Sequence, residues 1–316
     1  MARKRNIITI FGGTGFLGRH IVQTLAQSDV TAQIRIATRS PARASLLKPC
    51  GGVGQVVPIS CDVHDGQSVA RAVAGSTHVI NLIGILYERG GKNSFDALHH
   101  LAAQRIARAA ADAGVRQFLH VSAIGASPRA ASRYAQSKAA GEDAVHRAFP
   151  SAVILRPSLV FGPEDDFFNR FARMARISPV LPLVMGGRTK FQPVYVGDIA
   201  RAIRTVAASD APEKHAGKTY ELGGPQVYSF RELLDITLAA TNRKRCFVPL
   251  PAPLATAVGF AAAICPRPPL TVDQVRSLKQ DNVASGQHPG FADLGLEPTA
   301  LGAILPLYLD KYRKTC

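Results

Sequence analysis

The sequence predicts an α/β fold, a doubly wound parallel sheet with a smaller, mostly helical C-terminal lobe, and three observations carry that prediction. Short apolar runs rich in β-branched residues alternate with helical patterns as far as about residue 155, the pattern of parallel strands covered by helices on both faces. The first run, Ile7-Ile-Thr-Ile10, leads directly into three glycines at Gly12, Gly15 and Gly18. After Arg156-Pro157 the alternation gives way to a loop, an aromatic helix and a proline-rich stretch.

The first strand and its glycines form one unit with the helix that follows. Glycine lets the chain turn tightly, lets backbone N–H groups approach a pyrophosphate, and lets a helix pack closely on a strand with its positive end toward the phosphates. A helical pattern of Phe16, Leu17, Ile21, Val22 and Leu25 follows the turn, which is the context that gives the glycine spacing meaning. A Rossmann-like, NAD(P)-binding unit is therefore expected at the N-terminus.

The second strand, Gln33 to Thr38, ends in Arg39-Ser40, with Arg43 one helical turn later. An acid at this place would hydrogen-bond the adenosine ribose and repel a 2′-phosphate, whereas an arginine beside a hydroxyl does the reverse. NADP(H) is favoured over NAD(H) on this ground. The third strand, Gln55 to Cys61, ends in Asp62-Val63, and the fourth, His78 to Gly84, ends in Leu82-Ile83-Gly84. A helix from Asn93 to Ala113 leads to the strand Gln117–Ser122, and a helix from Ser132 to Ala148 leads to the strand Ala152–Arg156. Right-handed crossovers then align all the strand ends along one ligand-binding edge.

Beyond residue 156 the chain reads as a lobe of its own. Pro157 to Pro163 reads as a loop, and the next helix carries Phe167, Phe168, Phe171 and Met174 on one face, as local core. Gln192 to Asp198 reads as a short strand entering a helix capped by Asp198, and Ser229-Phe-Arg-Glu232 is a capping box. The organisation expected is a dinucleotide-binding domain over 1–155, to which 190–208 returns, and a lobe over 156–316. Within that lobe the apolar stretch Leu254 to Cys265 lies between Pro253 and Pro266, with Arg243, Lys244, Arg245 and Arg267 around it. Two readings of it stand level: a helix buried in its own lobe, or an interfacial contact with lipid or a partner.

Composition narrows the function classes. With 316 residues, 47% of them hydrophobic, the chain can bury a sizeable core. Five scattered cysteines without a Cys-x-x-Cys pair indicate neither a disulfide framework nor a metal site. The first 48 residues hold eight Lys/Arg and a single acid, yet a strand starting near Asn6 leaves no room there for a targeting peptide. No apolar run reaches the roughly 18 residues needed to span a bilayer. A net charge of +16 exceeds what a bound dinucleotide balances and points to an anionic surface, such as acidic subunits or lipid headgroups. Nucleic acid is not expected, because no zinc finger, helix-turn-helix or aromatic-rich strand motif accompanies the basic residues.

Tyr134 and Lys138 stand four apart on a helix and hence on one face. A tyrosine titrates near pH ~10, so acid–base work near neutrality needs a cation that favours the phenolate. Lys138 can supply it while binding the nicotinamide ribose, and Ser122 at the preceding strand end can hold a carbonyl. These features resemble the extended and atypical short-chain dehydrogenase/reductase superfamily over essentially the whole chain. Within it they resemble the family of nucleotide-binding accessory subunits of respiratory complex I and their α-proteobacterial homologues. The segments that carry this resemblance are 13–18, 80–84, 120–125, 156–165, 167–171, 192–198 and 269–282.

The resemblance implies NADP(H) held in a structural or assembly role outside the electron path, with other complex I subunits as partners. It also implies a peripheral position on the cytoplasmic side of the bacterial inner membrane, and a homo-oligomer is not expected. The expected cofactor contacts are Gly12, Gly15, Phe16, Leu17 and Gly18, then Arg39, Ser40 and Arg43, then Asp62, Val63, Leu82, Ile83 and Gly84. Ser122, Tyr134, Lys138, Pro157 and Ser158 complete the set. Ala123 replaces the second Ser or Thr of active relatives, which puts turnover by Ser122, Tyr134 and Lys138 in doubt. The alternative is a free NADPH-dependent reductase or sugar-nucleotide-modifying enzyme that uses Tyr134 and Lys138.

Cofactor choice is directly testable. Arg39→Asp is expected to weaken NADPH binding by about 2 kcal/mol through loss of a charge-assisted contact and gain of repulsion. Calorimetry that finds the unmodified protein tighter for NADH than for NADPH would refute the assignment.

Overall fold

The computed structural model describes residues 6–29, 31–262, 268 and 270–314. The strands are β1 (Ile7–Phe11), β2 (Gln33–Thr38), β3 (Val56–Ser60), β4 (His78–Asn81), β5 (Gln117–Val121), β6 (Val153–Pro157), β7 (Val160–Phe161), β8 (Val180–Val184), β9 (Lys190–Phe191), β10 (Val194–Tyr195), β11 (Thr219–Leu222), β12 (Tyr228–Ser229) and β13 (Cys246–Leu250). The helices are α1 (Phe16–Ser28), α2 (Pro41–Ala44), α3 (Gly66–Val73), α4 (Ala102–Asp112), α5 (Arg133–Ala148), α6 (Phe168–Ile177), α7 (Val196–Ala207), α8 (Phe230–Ala240), α9 (Ala252–Ala262), α10 (Val272–Ser277) and α11 (Leu301–Leu309).

Seven strands form one parallel sheet in the order β11-β6-β5-β4-β1-β2-β3. The order reverses between β1 and β4, which opens a crevice at their C-terminal ends. Strands buried on both faces read as continuous apolar runs, and side chains alternate between two cores. On one face Ile8, Ile10, Ile34 and Ile36 pack against Ile21, Val22 and Leu25 of α1 and Ile199, Ile203 and Val206 of α7. On the other, Phe11, Val79, Phe118 and Ile154 meet Val69 and Val73 of α3, Ile106 of α4 and Val145 of α5. Burial of each such side chain contributes about 1.5–3 kcal/mol.

The lobe has its own smaller cores. Phe167 and Phe171 of the α6 region pack edge-on against Phe230 of α8, with ring centroids 5.8 and 5.6 Å apart. Leu301, Leu305 and Leu309 of α11 close a neighbouring cluster around Phe161 and Phe168. The Ser229/Glu232 capping box opens α8 as its sequence requires.

Several details depart from the sequence reading. β4 stops at Asn81 rather than Gly84, because the Asn81 side chain accepts the Ile83 N–H at 3.1 Å and turns the chain out of the ladder. The helix expected from Asn93 begins as a single tight turn at Gly91–Asn93 and a π-helical stretch, Asp96–Leu101, before α4. The segment 157–163 is not all loop: β7 pairs with β10 in parallel. Asp198 is not the cap of α7, which starts at Val196; its carboxylate lies in the first turn, 1% exposed, and accepts from the Thr299 N–H (2.5 Å), the Thr299 hydroxyl (2.9 Å) and Arg201 (2.7 Å). The seventh strand, β11, comes from residues placed in the lobe by the sequence reading, and Phe291 and Leu294 also join the core beneath α7.

Helix α9 falls between the two readings of the stretch 254–265. It buries Ala255 and Gly259 but exposes Leu254 (53%), Val258 (40%) and Phe260 (67%). Ile264, Cys265, Pro266 and Arg267 lie outside the described residues, as does the basic cluster Arg3-Lys4-Arg5. No helix among the described residues is long and apolar enough to cross a membrane.

Asp198→Ala removes the acceptor for two Thr299 donors and Arg201, and is expected to cost about 2–3 kcal/mol. Urea unfolding with an unchanged denaturant slope is the measurement, and a loss below about 0.5 kcal/mol would show that water replaces the carboxylate.

Candidate functional site

The cradle is built by the turn from β1 into α1. Gly12 adopts φ +80°, and a Cβ there would lie 3.1 Å from the Leu82 carbonyl carbon, so the turn presses on the end of β4. A Cβ at Gly18 would stand 2.3 Å from the Gly12 carbonyl oxygen, a separation no side chain tolerates. Gly15 donates its N–H to the Gly12 carbonyl at 3.0 Å and begins α1, a helix with no side-chain cap and no acid in its first turn. Its first N–H groups and the positive end of its dipole are therefore left to an anion. Leu17 packs on the core below, while the Phe16 ring lies 3.3 Å from the position of a Gly162 Cβ.

Along the crevice, Arg39 and Arg43 are exposed after β2 and make no hydrogen bond or ion pair among the described residues. Ser40 donates its N–H to the Thr38 hydroxyl (3.1 Å), which fixes the turn that carries Arg39. After β3, the His64 N–H at 3.0 Å, and then charges that include Lys92 and Arg39, hold the Asp62 carboxyl below its ordinary range. Arg105 donates to the Val63 carbonyl at 2.6 Å. The structure thus groups Arg39, Ser40, Arg43, Asp62 and Val63 at the ends of neighbouring strands.

The opposite end of the crevice is a buried cation among neutral imidazoles. Lys138 is 4% exposed, and its ammonium makes one hydrogen bond among the described residues, to the Val121 carbonyl at 3.2 Å. It stands 3.2 Å from where a Gly84 Cβ would be, so glycine at 84 leaves the ammonium open toward the crevice. Burial pulls its pKa down to about 8. The Ser122 hydroxyl is buried beside the same strand end without a hydrogen-bond partner among the described residues. Tyr134 is half-buried, stacked edge-on to His99 (5.4 Å) and Phe95 (5.8 Å).

One expectation reverses here. Lys138 does not favour the phenolate; burial instead pushes Tyr134 up to about 12, so it stays a neutral phenol near pH 7. A cation beside it lowers a phenol pKa only when close enough to outweigh desolvation.

Two supporting residues escape a reading by motif. His99, on the π-helical turn, accepts the Ile85 N–H through Nε2 (2.9 Å) and pairs through Nδ1 with the Ser137 hydroxyl (2.8 Å), which donates to the Tyr134 carbonyl (2.7 Å). Burial and the Lys138 charge hold this imidazole neutral, with a pKa of about 2. Asp273, from α10, accepts the N–H groups of Arg133 (2.7 Å) and Tyr134 (3.0 Å) at the start of α5. Neither has a spacing signal, although the helix-length run around His99 and the Thr271/Gln274 capping box are visible in sequence. Pro157 accepts the Ile124 N–H (3.0 Å), and the Ser158 hydroxyl donates to the Asn282 side-chain oxygen (2.7 Å), so Ser158 holds the tail against the sheet edge. The cradle, the spare Lys138 donors and the orphaned Ser122 hydroxyl fit a dinucleotide laid across the C-terminal edge of the sheet.

Residues 8–223 match the NAD dependent epimerase/dehydratase family. The chain is similar to NADH dehydrogenase (ubiquinone) 1 alpha subcomplex subunit 9, mitochondrial, of Arabidopsis thaliana, with 39% identity over 98% of this chain and 78% of the relative. The same-named subunit of Mus musculus is 36% identical over 93% of this chain and 77% of its own length. Among solved structures, the NADPH-dependent quinone oxidoreductase of Escherichia coli complexed with NADPH superposes with a TM-score of 0.75 at 19% identity, covering 96% of this chain and 99% of that one. At that identity the likeness establishes the fold.

The buried Lys138 makes a signed pH prediction. Its folded pKa lies below its unfolded value near ~10.4, so its charge opposes folding below pH ~8 and the penalty is relieved as pH rises through that window. Lys138→Met is expected to stabilise the nucleotide-free protein by roughly 2 kcal/mol at pH 7, with the gain fading toward pH ~10. Denaturation at pH 7 and pH 9.5 checks it, and a pH-independent difference would show that the ammonium is not desolvated.

Proposed function

The chain belongs to the NAD dependent epimerase/dehydratase family and is a homologue of the alpha subcomplex subunit 9 of mitochondrial NADH dehydrogenase, and from that premise we propose that it is an accessory subunit of respiratory NADH:quinone oxidoreductase that holds NADP(H) structurally. The observation that carries this reading is a complete nucleotide cradle in a chain 39% identical, over 98% of its length, to a subunit of that oxidoreductase. Such a site binds a dinucleotide through Gly12, Gly15, Gly18 and Lys138, while burial keeps the Tyr134 phenol protonated near neutrality. Arg39, Ser40 and Arg43 support the 2′-phosphorylated form. The nucleotide, when bound, supplies a hydride carrier; in this reading the chain uses it to brace α1, α5 and the strand ends.

Leu254, Val258 and Phe260 present an uncharged helix face to solvent, and Arg231 lies 5.3 Å over the Phe247 ring of the adjoining β13. Apolar side chains flanked by cations suit the surface of an anionic membrane, with the lobe peripheral on the cytoplasmic side and neighbouring subunits around it. A second reading, a free NADPH-dependent reductase or sugar-nucleotide-modifying enzyme, is favoured by one feature, the Ser122 hydroxyl without a partner among the described residues, next in sequence to the Val121 carbonyl that holds Lys138.

NADPH is expected to raise the melting temperature through mass action while aldehydes, ketones and quinones elicit no steady-state oxidation above background. Leu254→Glu with Phe260→Glu, both exposed, is expected to keep that thermal shift but lose co-fractionation with membranes and with the oxidoreductase. Turnover that vanishes in Tyr134→Phe would establish the reductase instead, and a double variant that still assembles would remove α9 from the docking surface.

A further inference from the structure

We propose that Asp273 couples the nucleotide site to the exposed helix α9, so that a filled site steadies α9 and a displaced α9 loosens the nucleotide. The proposal rests on the nucleotide-holding reading above. It adds a mechanical link that neither the cradle nor the exposed face contains by itself.

The link is short and consists of named contacts. On the nucleotide side, Tyr134 and Lys138 stand on α5, and the first N–H groups of that helix end on the Asp273 carboxylate at 2.7 and 3.0 Å. On the other side, Gly259 of α9 rests on the residues just before Asp273: a Cβ there would lie 2.8 Å from the Val272 nitrogen and 3.1 Å from the Thr271 carbonyl carbon. Between the α9 backbone and the Tyr134 N–H there are thus three residues, 271–273, and one carboxylate.

Those residues are not free to absorb a displacement. The Thr271/Gln274 capping box fixes the α10 start with two bonds of 3.1 Å, and Val275 is buried in the lobe core beside Ala255. Downstream, Asn282 is bonded to the Ser158 hydroxyl and to the Ile124 carbonyl, so the segment is also tied to the sheet edge two residues past Ser122. A shift of α9 against α10 must therefore be passed to the α5 start or break a bond. The carboxylate also places a negative charge at the positive end of α5, a charge-assisted tie beside the Arg133–Glu88 pair (3.1 Å). Ser132 caps the same helix independently through the Ala135 N–H at 3.1 Å, so α5 keeps its start when Asp273 is changed.

Coupling of this kind is reciprocal: whatever factor the nucleotide contributes to the order of α9, a perturbation of α9 must return to the nucleotide. Hydrogen exchange on the full chain, with and without saturating NADPH, reads the first direction. Amides in 254–262 are expected to exchange at least about 3-fold more slowly with NADPH, and D273N is expected to lose that protection while still binding NADPH. G259A, whose Cβ forces α9 off Val272, reads the second direction, with an expected 3- to 10-fold weaker NADPH affinity, on the order of 1 kcal/mol. The double variant G259A/D273N is expected to bind no more weakly than D273N alone, because both changes cut the same link.

NADPH binding with unchanged exchange in 254–262, retained protection in D273N, or additive losses in the double variant would each overturn the coupling alone. Absence of NADPH binding in the unmodified protein would overturn the nucleotide reading and the coupling with it. The unmodified and G259A arms decide the question without D273N, should that variant fail to fold.

Discussion

The approach of Gly18 to the Gly12 carbonyl is the constraint from which the rest of the site is laid out. With 2.3 Å between that oxygen and any Cβ at position 18, α1 can lie against the end of β1 only if its first turn has no side chain there. That contact sets the helix start over the crevice, and the crevice exists because the strand order reverses between β1 and β4. Ile21, Val22 and Leu25 then fall on the sheet, and α7 fills the space beside them. A chain segment more than 170 residues away is in this way held to the same face as the cradle.

At the other end of the crevice the protein tolerates a costly arrangement. A lysine with one hydrogen bond among the described residues is buried next to imidazoles that burial, and then its own charge, keep neutral. Removing charge from water is unfavourable, and such groups persist where a ligand completes their bonding. The unpartnered Ser122 hydroxyl and the open space over Gly84 belong to the same pattern. On the same helix as Lys138, burial raises the Tyr134 phenol in pKa rather than lowering it.

The tail is joined to the sheet by polar ties as well as by Phe291 and Leu294 in the shared core. Arg156 at the end of β6 holds the buried Glu142 of α5 at 2.9 and 2.5 Å and lies 3.8 Å from Glu221 of β11. Glu221 in turn accepts from the N–H and hydroxyl of Ser285, at 2.6 and 2.8 Å. Buried charges left unpaired cost several kcal/mol, so this network demands its full complement of partners and fixes where the tail crosses the sheet edge. Asp273 and Asn282 are set down along that path, and α9 rests on its beginning.

Local chemistry in the sequence was enough to place the parallel strands, the glycine cradle, the Ser229 cap, the arginine after β2 and the Tyr134/Lys138 face, because each depends on residues within a few positions of one another. Asn81 ending β4 early, the π-helical turn under His99 and the β7–β10 pairing were not legible, since each is set by a hydrogen bond or packing partner that periodicity does not encode. Asp198 read as a cap because it has the right side chain near a helix start, yet Thr299, about a hundred residues later, takes the carboxylate. Whether the stretch after Pro253 is buried or exposed depended on how much apolar surface the lobe had left to cover it; α10 accommodates only the Ala255–Gly259 edge, and Leu254, Val258 and Phe260 remain outside. The pKa of Tyr134 was decided by tertiary structure for the same reason: the residues that exclude water from its ring, Phe95 and His99, approach it from another helix, and desolvation is a property of the packed site rather than of the motif.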